Sequence, residues 1–168
     1  MAKTNIILIG MMGSGKTTVG KTLTKIRPGL FFMDIDEIIE TKEQTPIVQI
    51  FEKQGETYFR NFETVIAEAL QDDENLIIAT GGGFCQRPEN LNCLRKKGTV
   101  FYLKAPSNVL YERIKYDNKR PLLQTSNPRV TLSNLLAQRE KNYLKADFVV
   151  DVSNKSPEKI AEEILEKL

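Results

Sequence analysis

The chain of 168 residues contains no histidine and only two cysteines, Cys85 and Cys93. Two cysteines without a CxxC pair and without any imidazole do not form a zinc-binding pattern. They are also too few for a disulfide framework, so we expect both thiols to be reduced. Without histidine, any general base has to be another side chain, and a carboxylate is the first candidate.

The chain also lacks an excess of either charge and any long apolar run. Lysine and arginine number 24 and aspartate and glutamate 22, interspersed along the chain, which gives a formal net charge of +2. Such a balance provides no basic surface for nucleic acid or an anionic membrane. No apolar run approaches membrane-spanning length, and the first one ends in glycines without a small-residue cleavage site. We therefore expect one cytoplasmic domain that binds neither nucleic acid nor membrane.

Short apolar runs alternate with segments of helical spacing along the whole chain. The runs read NIILI, LFFMDI, NLIIAT, TVFYLK and DFVVDV. Helices are predicted to begin near Lys16, Ile35, Pro46, Asn61, Arg87, Ser107 and Thr131. A last helix is capped by Ser156 and begins at Pro157, with an apolar face of Ile160, Ile164, Leu165 and Leu168. The alternation predicts an α/β protein with a mostly parallel sheet and helices on both faces.

A glycine-rich stretch, GMMGSGKTT, follows the first apolar run and is called the phosphate loop here (residues 10–18). Its spacing G-x-x-x-x-G-K-T is typical of a loop whose bare backbone N–H groups bind the phosphates of a nucleotide. In this interpretation Lys16 reaches the β- and γ-phosphates and the Thr17 hydroxyl binds Mg²⁺. An ordinary glycine turn is the alternative. We assign nucleotide binding to Gly13, Ser14, Gly15, Lys16, Thr17 and Thr18.

Two aspartates follow the second apolar run. If the strand continued through them, Asp34 and Asp36 would lie on one face, because alternate side chains of a strand point the same way. One carboxylate could then orient Mg²⁺ through its waters, and the other could contact a hydroxyl acceptor. The alternative is that both residues cap the following helix. Spacing alone leaves these two interpretations open.

A second glycine cluster, Gly81 to Gly83, follows the third apolar run. It is either a tight turn or a place where the backbone approaches a second ligand and offers its N–H groups. Arg60 and Arg139 could grip a small carboxylate beside these glycines, since guanidinium binds carboxylate in a bidentate manner. Each arginine could equally be solvated, and spacing does not show whether the two converge.

The stretch YDNKRPLLQTSNPR, residues 116–129, is polar, basic and interrupted by prolines. It is predicted to be a long surface loop, and such loops often close over a site as lids. Lys119 and Arg120 lie in it, and Arg113 lies shortly before it. An arginine on a closing loop can stabilise the charge of a phosphoryl group in transfer. A solvated basic loop is the alternative.

Taken in order, GMMGSGKTT, FFMDID, GETYFRNFE, ATGGG, KRPLL and REKNYLKADFVVD resemble the motifs of the shikimate kinase family, and the resemblance spans nearly the whole chain. It implies a P-loop kinase fold, similar to nucleoside monophosphate kinases, with a five-stranded parallel sheet of order 2-3-1-4-5. It also implies ATP-dependent phosphorylation of the 3-hydroxyl of shikimate in the route to chorismate and the aromatic amino acids. ATP is then the co-substrate and one Mg²⁺ per active site the cofactor.

The resemblance also implies roles for single residues. Arg60 and Arg139 would hold the carboxylate of shikimate, and its hydroxyls would contact Asp36 and the backbone of Gly81, Gly82 and Gly83. Lys16, Asp36 and Arg120 would be catalytic, with Thr17 and Asp34 at the metal and Arg113, Arg120 and Pro157 at ATP. The implied organisation is one monomeric domain with a substrate-binding subdomain at about residues 34–61 and a mobile lid at about 116–131.

Two other functions remain open at this point. A kinase for another sugar acid, such as gluconate, would share the phosphate loop and need a different acceptor pocket. A sensor that binds the ligand without catalysing a reaction would not need Lys16, Thr17 and Arg120. All three residues are present, which argues against a sensor. Asp36 is the candidate base, although a loose transition state makes it as much an orienting group as a proton acceptor.

Overall fold

The computed structural model describes residues 4–117 and 120–168. Within these residues five strands alternate with seven α-helices. The strands are β1 Asn5–Ile9, β2 Phe31–Asp34, β3 Leu76–Ala79, β4 Gly98–Lys104 and β5 Phe148–Asp151. The helices are α1 Lys16–Ile26, α2 Ile35–Glu43, α3 Ile47–Leu70, α4 Pro88–Arg95, α5 Ser107–Ile114, α6 Pro128–Tyr143 and α7 Pro157–Glu166. Short 3₁₀ turns at Phe84–Gln86 and Pro121–Leu123 were not predicted.

The strands form one parallel sheet in the order β2-β3-β1-β4-β5, which confirms the predicted α/β fold and its strand order. The central strand β1 is buried along its whole length, because helices cover both faces of the sheet. Leu8 pairs with Ala79 of β3, and Ile9 pairs with Tyr102 of β4. The carboxyl ends of these strands therefore lie side by side, where α/β proteins bind their ligands.

Helix α3 differs most from its prediction. The sequence predicts helices from Pro46 and from Asn61, whereas the structure has one kinked element, Ile47–Leu70. Gly55 interrupts its helical dihedral angles with φ 83° and ψ 167°, a conformation that glycine adopts without a steric penalty. The second half of α3 therefore begins directly after Gly55, several residues earlier than predicted.

Other helix ends agree more closely with the sequence. Ser156 caps α7 by accepting a hydrogen bond from Lys159 N, and Pro157 is its first residue, as predicted. Ile160 and Ile164 are buried, but Leu168 lies beyond the helix and is half exposed, contrary to prediction. Helix α6 begins at Pro128 instead of near Thr131, because Asn127 caps it through Val130 N.

Both cysteines are free. Among the described residues no helix is both long enough and apolar enough to cross a membrane.

Candidate active site

The phosphate loop connects β1 to α1 through glycines in left-handed conformations. Gly13 has φ 81°, and a side chain there would meet the carbonyl oxygen of Leu110 at 2.9 Å. Gly15, with φ 89°, is the N-cap of α1 and supplies no capping side chain. The first N–H groups of α1 therefore remain for a ligand, and the helix dipole favours an anion there.

Lys16 folds back over this loop. Its Nζ donates hydrogen bonds to the carbonyl oxygens of Gly10 at 2.8 Å and Met11 at 3.0 Å, and it lies 3.4 Å from Ser14 Oγ. Burial lowers the pKa of Lys16 to about 8, against the opposing effect of Asp36. The ammonium group is thus fixed inside the loop, next to the space that the N–H groups of α1 face.

Asp34 and Asp36 do not share a strand face, and of the two only Asp34 caps the following helix. Strand β2 ends at Asp34, and Asp36 lies in the first turn of α2. Asp34 is the N-cap, since its Oδ1 accepts from Asp36 N at 3.0 Å and from Glu37 N at 3.4 Å. Its other oxygen, Oδ2, accepts from Thr17 Oγ1 at 2.7 Å. Asp34 therefore both caps the helix and contacts the phosphate loop, while Asp36 points elsewhere.

Asp36 points toward the second glycine cluster, here called the glycine segment (Gly81–Gly83). A Cβ atom on Gly81 would lie 2.8 Å from Asp36 Oδ1, and this oxygen has no hydrogen-bond partner among the described residues. Burial, and then the charge of Asp34, raise the pKa of Asp36 to about 6. A buried acceptor without a donor is costly, so this oxygen is available to a ligand hydroxyl.

The glycine segment is a tight turn, with Phe84 N donating to Gly81 O at 3.1 Å. It is also a place of close approach: a Cβ on Gly83 would lie 2.2 Å from Arg60 Nη2, and one on Gly82 would lie 3.5 Å from Arg139 Nη1. The segment is therefore the tight turn that the sequence allowed, and the group that approaches Gly83 is a guanidinium of the protein itself.

Arg60 and Arg139 converge on this segment and are both buried. They line one small cavity of about 70 Å³ together with Asp36, Gly81, Gly82, Gly83, Phe51 and Phe59. The Gln86 side-chain oxygen, turned toward Arg139, accepts from its Nε at 2.8 Å and its Nη2 at 3.0 Å. Two buried cations beside a glycine backbone form a pocket for a small anion.

Sequence reasoning missed Glu63, which is fully buried. Its Oε2 accepts from Arg60 Nη1 at 2.8 Å, while Glu56 Oε1 accepts from Arg60 Nη2 at 2.9 Å. Burial raises the pKa of Glu63 to about 7 in spite of Arg60, and its Oε1 has no partner among the described residues. The i, i+3 spacing in FRNFE was the available signal, because such residues are neighbours on a helix.

A larger cavity of about 310 Å³ lies over the phosphate loop. Its lining includes Gly13, Gly15, Lys16, Thr17, Thr18, Asp34, Asp36, Arg113 and Arg120. An adjoining cavity of about 260 Å³ brings Arg113 and Pro157 together with Ser14. Arg113 is held by the carbonyl oxygens of Gly13 at 3.2 Å and Val152 at 2.7 Å. The residues predicted to bind the nucleotide thus line two adjoining cavities.

Arg120 lines both the 310 Å³ cavity and the 70 Å³ cavity. Its Nε donates to Asp117 Oδ2 at 3.0 Å. Lys119, the other candidate on this segment, lies outside the described residues.

One pair of oxygens fits a divalent cation. Thr17 Oγ1 and Asp34 Oδ2 are in contact at the edge of the larger cavity. No group of three acidic, histidine or cysteine side chains that could hold a metal ion occurs among the described residues. Mg²⁺ usually takes one or two protein oxygens and completes its shell with phosphates and water, so this pair suits it.

A parallel sheet of this order, with a lysine-bearing phosphate loop after its central strand, defines a P-loop kinase. The family model for shikimate kinase matches residues 12–168. The shikimate kinase of Thermodesulfovibrio yellowstonii is 44% identical over 97% of this chain and 94% of its own length, and that of Persephonella marina is 41% identical over 98% of both. The chain belongs to the shikimate kinase family.

Solved structures agree with this assignment. The shikimate kinase of Acinetobacter baumannii in complex with shikimate is similar with a TM-score of 0.93 and 39% identity, over 98% of this chain and 92% of that one. A gluconokinase from Sinorhizobium meliloti has a TM-score of 0.62 at 20% identity over 98% and 90%. That second likeness extends to the fold alone.

Proposed function

We propose that this chain transfers the γ-phosphoryl group of ATP to the 3-hydroxyl of shikimate, giving shikimate 3-phosphate and ADP. One observation carries the proposal: the cavity over the phosphate loop and the arginine-lined cavity share the residues Met12, Asp36, Gly82 and Arg120. A phosphate donor in the first cavity and a small acid in the second would therefore meet at Asp36 and Arg120.

The acceptor cavity suits a hydroxylated carboxylic acid. Arg60 and Arg139 supply two buried cations for the carboxylate, and the N–H groups of the glycine segment supply neutral donors. At the other side, Oδ1 of Asp36, which has no hydrogen-bond partner within residues 4–117 and 120–168, accepts from a hydroxyl. Shikimate has this arrangement of groups, with an anionic carboxylate at one end and hydroxyls at the other.

The donor cavity suits ATP. The N–H groups at the start of α1, together with Lys16, hold the phosphates, while Arg113 and Pro157 flank the base. Thr17 and Asp34 would hold one Mg²⁺, which when bound would supply positive charge beside the phosphates.

In the reaction, Asp36 orients the acceptor hydroxyl toward the γ-phosphorus and takes up its proton as the new P–O bond forms and the bond from the γ-phosphorus to the leaving oxygen of ADP breaks. Its raised pKa makes the carboxylate a better proton acceptor than an exposed aspartate. Lys16 and Arg120 supply positive charge where negative charge shifts toward the leaving oxygen. Exclusion of water protects ATP from hydrolysis.

The same proposal covers the organisation of the chain. Residues 34–61 act as the substrate-binding subdomain and residues 116–131 as a lid that brings Arg120 over the phosphates. The enzyme acts as a monomer in the cytoplasm, on shikimate and ATP, with no nucleic acid or membrane partner.

An assay of ATP consumption with shikimate, with gluconate and with no acceptor tests the function. Of the three conditions, we expect ATP turnover only with shikimate, and we expect it to depend on Mg²⁺. Lys16→Ala should lower this turnover by at least about 100-fold, because the charge of Lys16 faces the phosphoryl group. Lys21→Ala, on the same helix but half exposed, is the matched control and should retain activity. Turnover with gluconate would favour the sugar-acid kinase, and binding without turnover would favour the sensor.

A further inference from the structure

The glycine segment is anchored from α6 by a buried phenol. Tyr143 is 1% exposed, and its hydroxyl donates a hydrogen bond to the carbonyl oxygen of Gly82. The same hydroxyl lies 3.5 Å from the sulfur of Met11, which belongs to the phosphate loop. Tyr143 thus contacts both of the loops that bound the two cavities.

This hydrogen bond fixes the orientation of the whole peptide group between Gly82 and Gly83. The C=O of Gly82 and the N–H of Gly83 belong to one planar trans peptide and point in opposite directions. Within residues 4–117 and 120–168, the N–H groups of Gly82 and Gly83 donate to no acceptor. Holding the carbonyl oxygen of Gly82 toward Tyr143 therefore directs the Gly83 N–H away from α6, free for a ligand.

Three consecutive glycines need such an anchor. Glycine has the widest range of backbone conformations, so the peptide between Gly82 and Gly83 could rotate if nothing held it. Tyr143 itself is held, because its ring packs against Tyr102 of β4 with ring centroids 5.0 Å apart. The phenol is a rigid support for a flexible segment.

Helix α6 delivers the phenol and an arginine together. Arg139 and Tyr143 are four residues apart and so lie on the same face of the helix. Arg139 Nη1 lies 3.5 Å from the Cβ position of Gly82, and 3.9 Å from the same Met11 sulfur. The guanidinium of Arg139 places positive charge at the cavity, and the phenol of Tyr143 orients the backbone beside it.

We propose that Tyr143 is a positioning residue for the acceptor: its hydroxyl orients the Gly82–Gly83 peptide so that the Gly83 N–H meets the anionic end of the substrate beside Arg60. This inference rests on the proposed function, because it assumes that the acid binds in the 70 Å³ cavity. It assigns no part in ATP binding to the Tyr143 hydroxyl.

Tyr143→Phe removes only the hydroxyl and keeps the ring. We expect the KM and Kd for shikimate to rise by roughly three- to tenfold, the loss of one neutral hydrogen bond, with kcat and the KM for ATP within about twofold of wild type. Replacement by 4-aminophenylalanine, which keeps a donor at the same place, should restore most of the affinity.

Tyr102→Phe is the matched control. Tyr102 is equally buried and its ring packs against Tyr143, but its hydroxyl lies near the carboxylate of Glu140, which together with burial raises the pKa of the phenol. We expect it to lower the thermal stability about as much as Tyr143→Phe while leaving the KM for shikimate unchanged. An unchanged KM in Tyr143→Phe, equal effects of both variants, or a parallel rise in the KM for ATP would overturn the proposal.

A measurement on the wild type covers the case in which Tyr143→Phe does not fold. The backbone amide of Gly83 in the ligand-free protein should have a ¹⁵N order parameter near that of rigid backbone, about 0.85, and a value below about 0.6 would overturn the proposal. This measurement needs no turnover, so it separates the inference from the proposed function. Absence of shikimate phosphorylation by wild type would defeat the function, whereas a flexible Gly83 would defeat the role of Tyr143.

Discussion

At the scale of single residues, the acceptor cavity depends on buried charges that are each held by a neighbour. Arg60 contacts Glu56 on its half-exposed side and Glu63 on its buried side. This arrangement balances a cation that would otherwise be costly to bury, and it fixes the plane of the guanidinium. The remaining N–H groups of Arg60 can then meet a ligand carboxylate.

We expect Arg60→Ala to weaken shikimate binding by roughly thirtyfold or more and to leave ATP binding nearly unchanged. Removing one partner of a desolvated charge pair costs about 2–5 kcal/mol. Arg60→Lys should recover only part of the loss, because lysine keeps the charge without the planar fork. Calorimetry with shikimate and with ATP measures both effects.

The control for this variant is Arg129→Ala, which removes an exposed arginine from the start of α6 and should change neither affinity. Shikimate carboxamide gives the sharper comparison. The wild type should strongly prefer the acid, and Arg60→Ala should discriminate much less between the two compounds. Equal binding of both by the wild type would show that these arginines do not read a carboxylate.

At the scale of elements, residues 120–127 precede α6 and include Arg120, which lines both cavities. Arg120 lies at the start of its 3₁₀ turn, Pro121–Leu123, and the same chain continues directly into α6 with Arg139. The segment is mostly polar, and Leu123 packs against the core only in part. Few apolar contacts mean that local opening costs little free energy.

We therefore expect the amides of residues 120–127 to exchange hydrogen rapidly in the free protein and slowly when ATP and shikimate are both bound. The amides of α7, whose cap and buried face are already complete, serve as the internal reference and should change little. Hydrogen exchange followed by mass spectrometry measures both sets. Equal protection of residues 120–127 in the two states would contradict a closing lid and leave Arg120 as an ordinary surface residue.

At the scale of the whole molecule, the buried carboxyl group of Glu63 makes the free energy of unfolding depend on pH. Burial raises the pKa of Glu63 from 4.5 to about 7, so the folded state binds its proton more tightly than the unfolded state does. The contribution of Glu63 to the free energy of unfolding is therefore greatest below pH 4.5 and declines as the pH rises through 7.

Glu63→Gln tests this dependence, because glutamine imitates the protonated side chain and does not titrate. We expect the stability of wild type minus that of Glu63→Gln to fall by on the order of 2–3 kcal/mol between pH 5 and pH 8. Urea unfolding at several pH values measures the difference, from which titrations common to both proteins cancel. A difference that stays constant with pH would mean that Glu63 keeps an ordinary pKa.

The sequence by itself determined those features that depend on near neighbours along the chain. Apolar runs of strand length predicted all five strands, the glycine spacing predicted the phosphate loop, and Ser156 with Pro157 predicted the start of α7. The reason is local: periodicity, backbone freedom and capping act over a few residues. The order of motifs identified the family, and with it the strand order.

Only the tertiary structure decided which side chains meet. Arg60 and Arg139 are 79 residues apart, and they converge because the parallel sheet brings the segments after its strands to one edge. The same packing brought Asp34 into contact with Thr17 and aimed Asp36 at Gly81. Such contacts depend on how distant elements pack against one another, and no spacing along the chain encodes them.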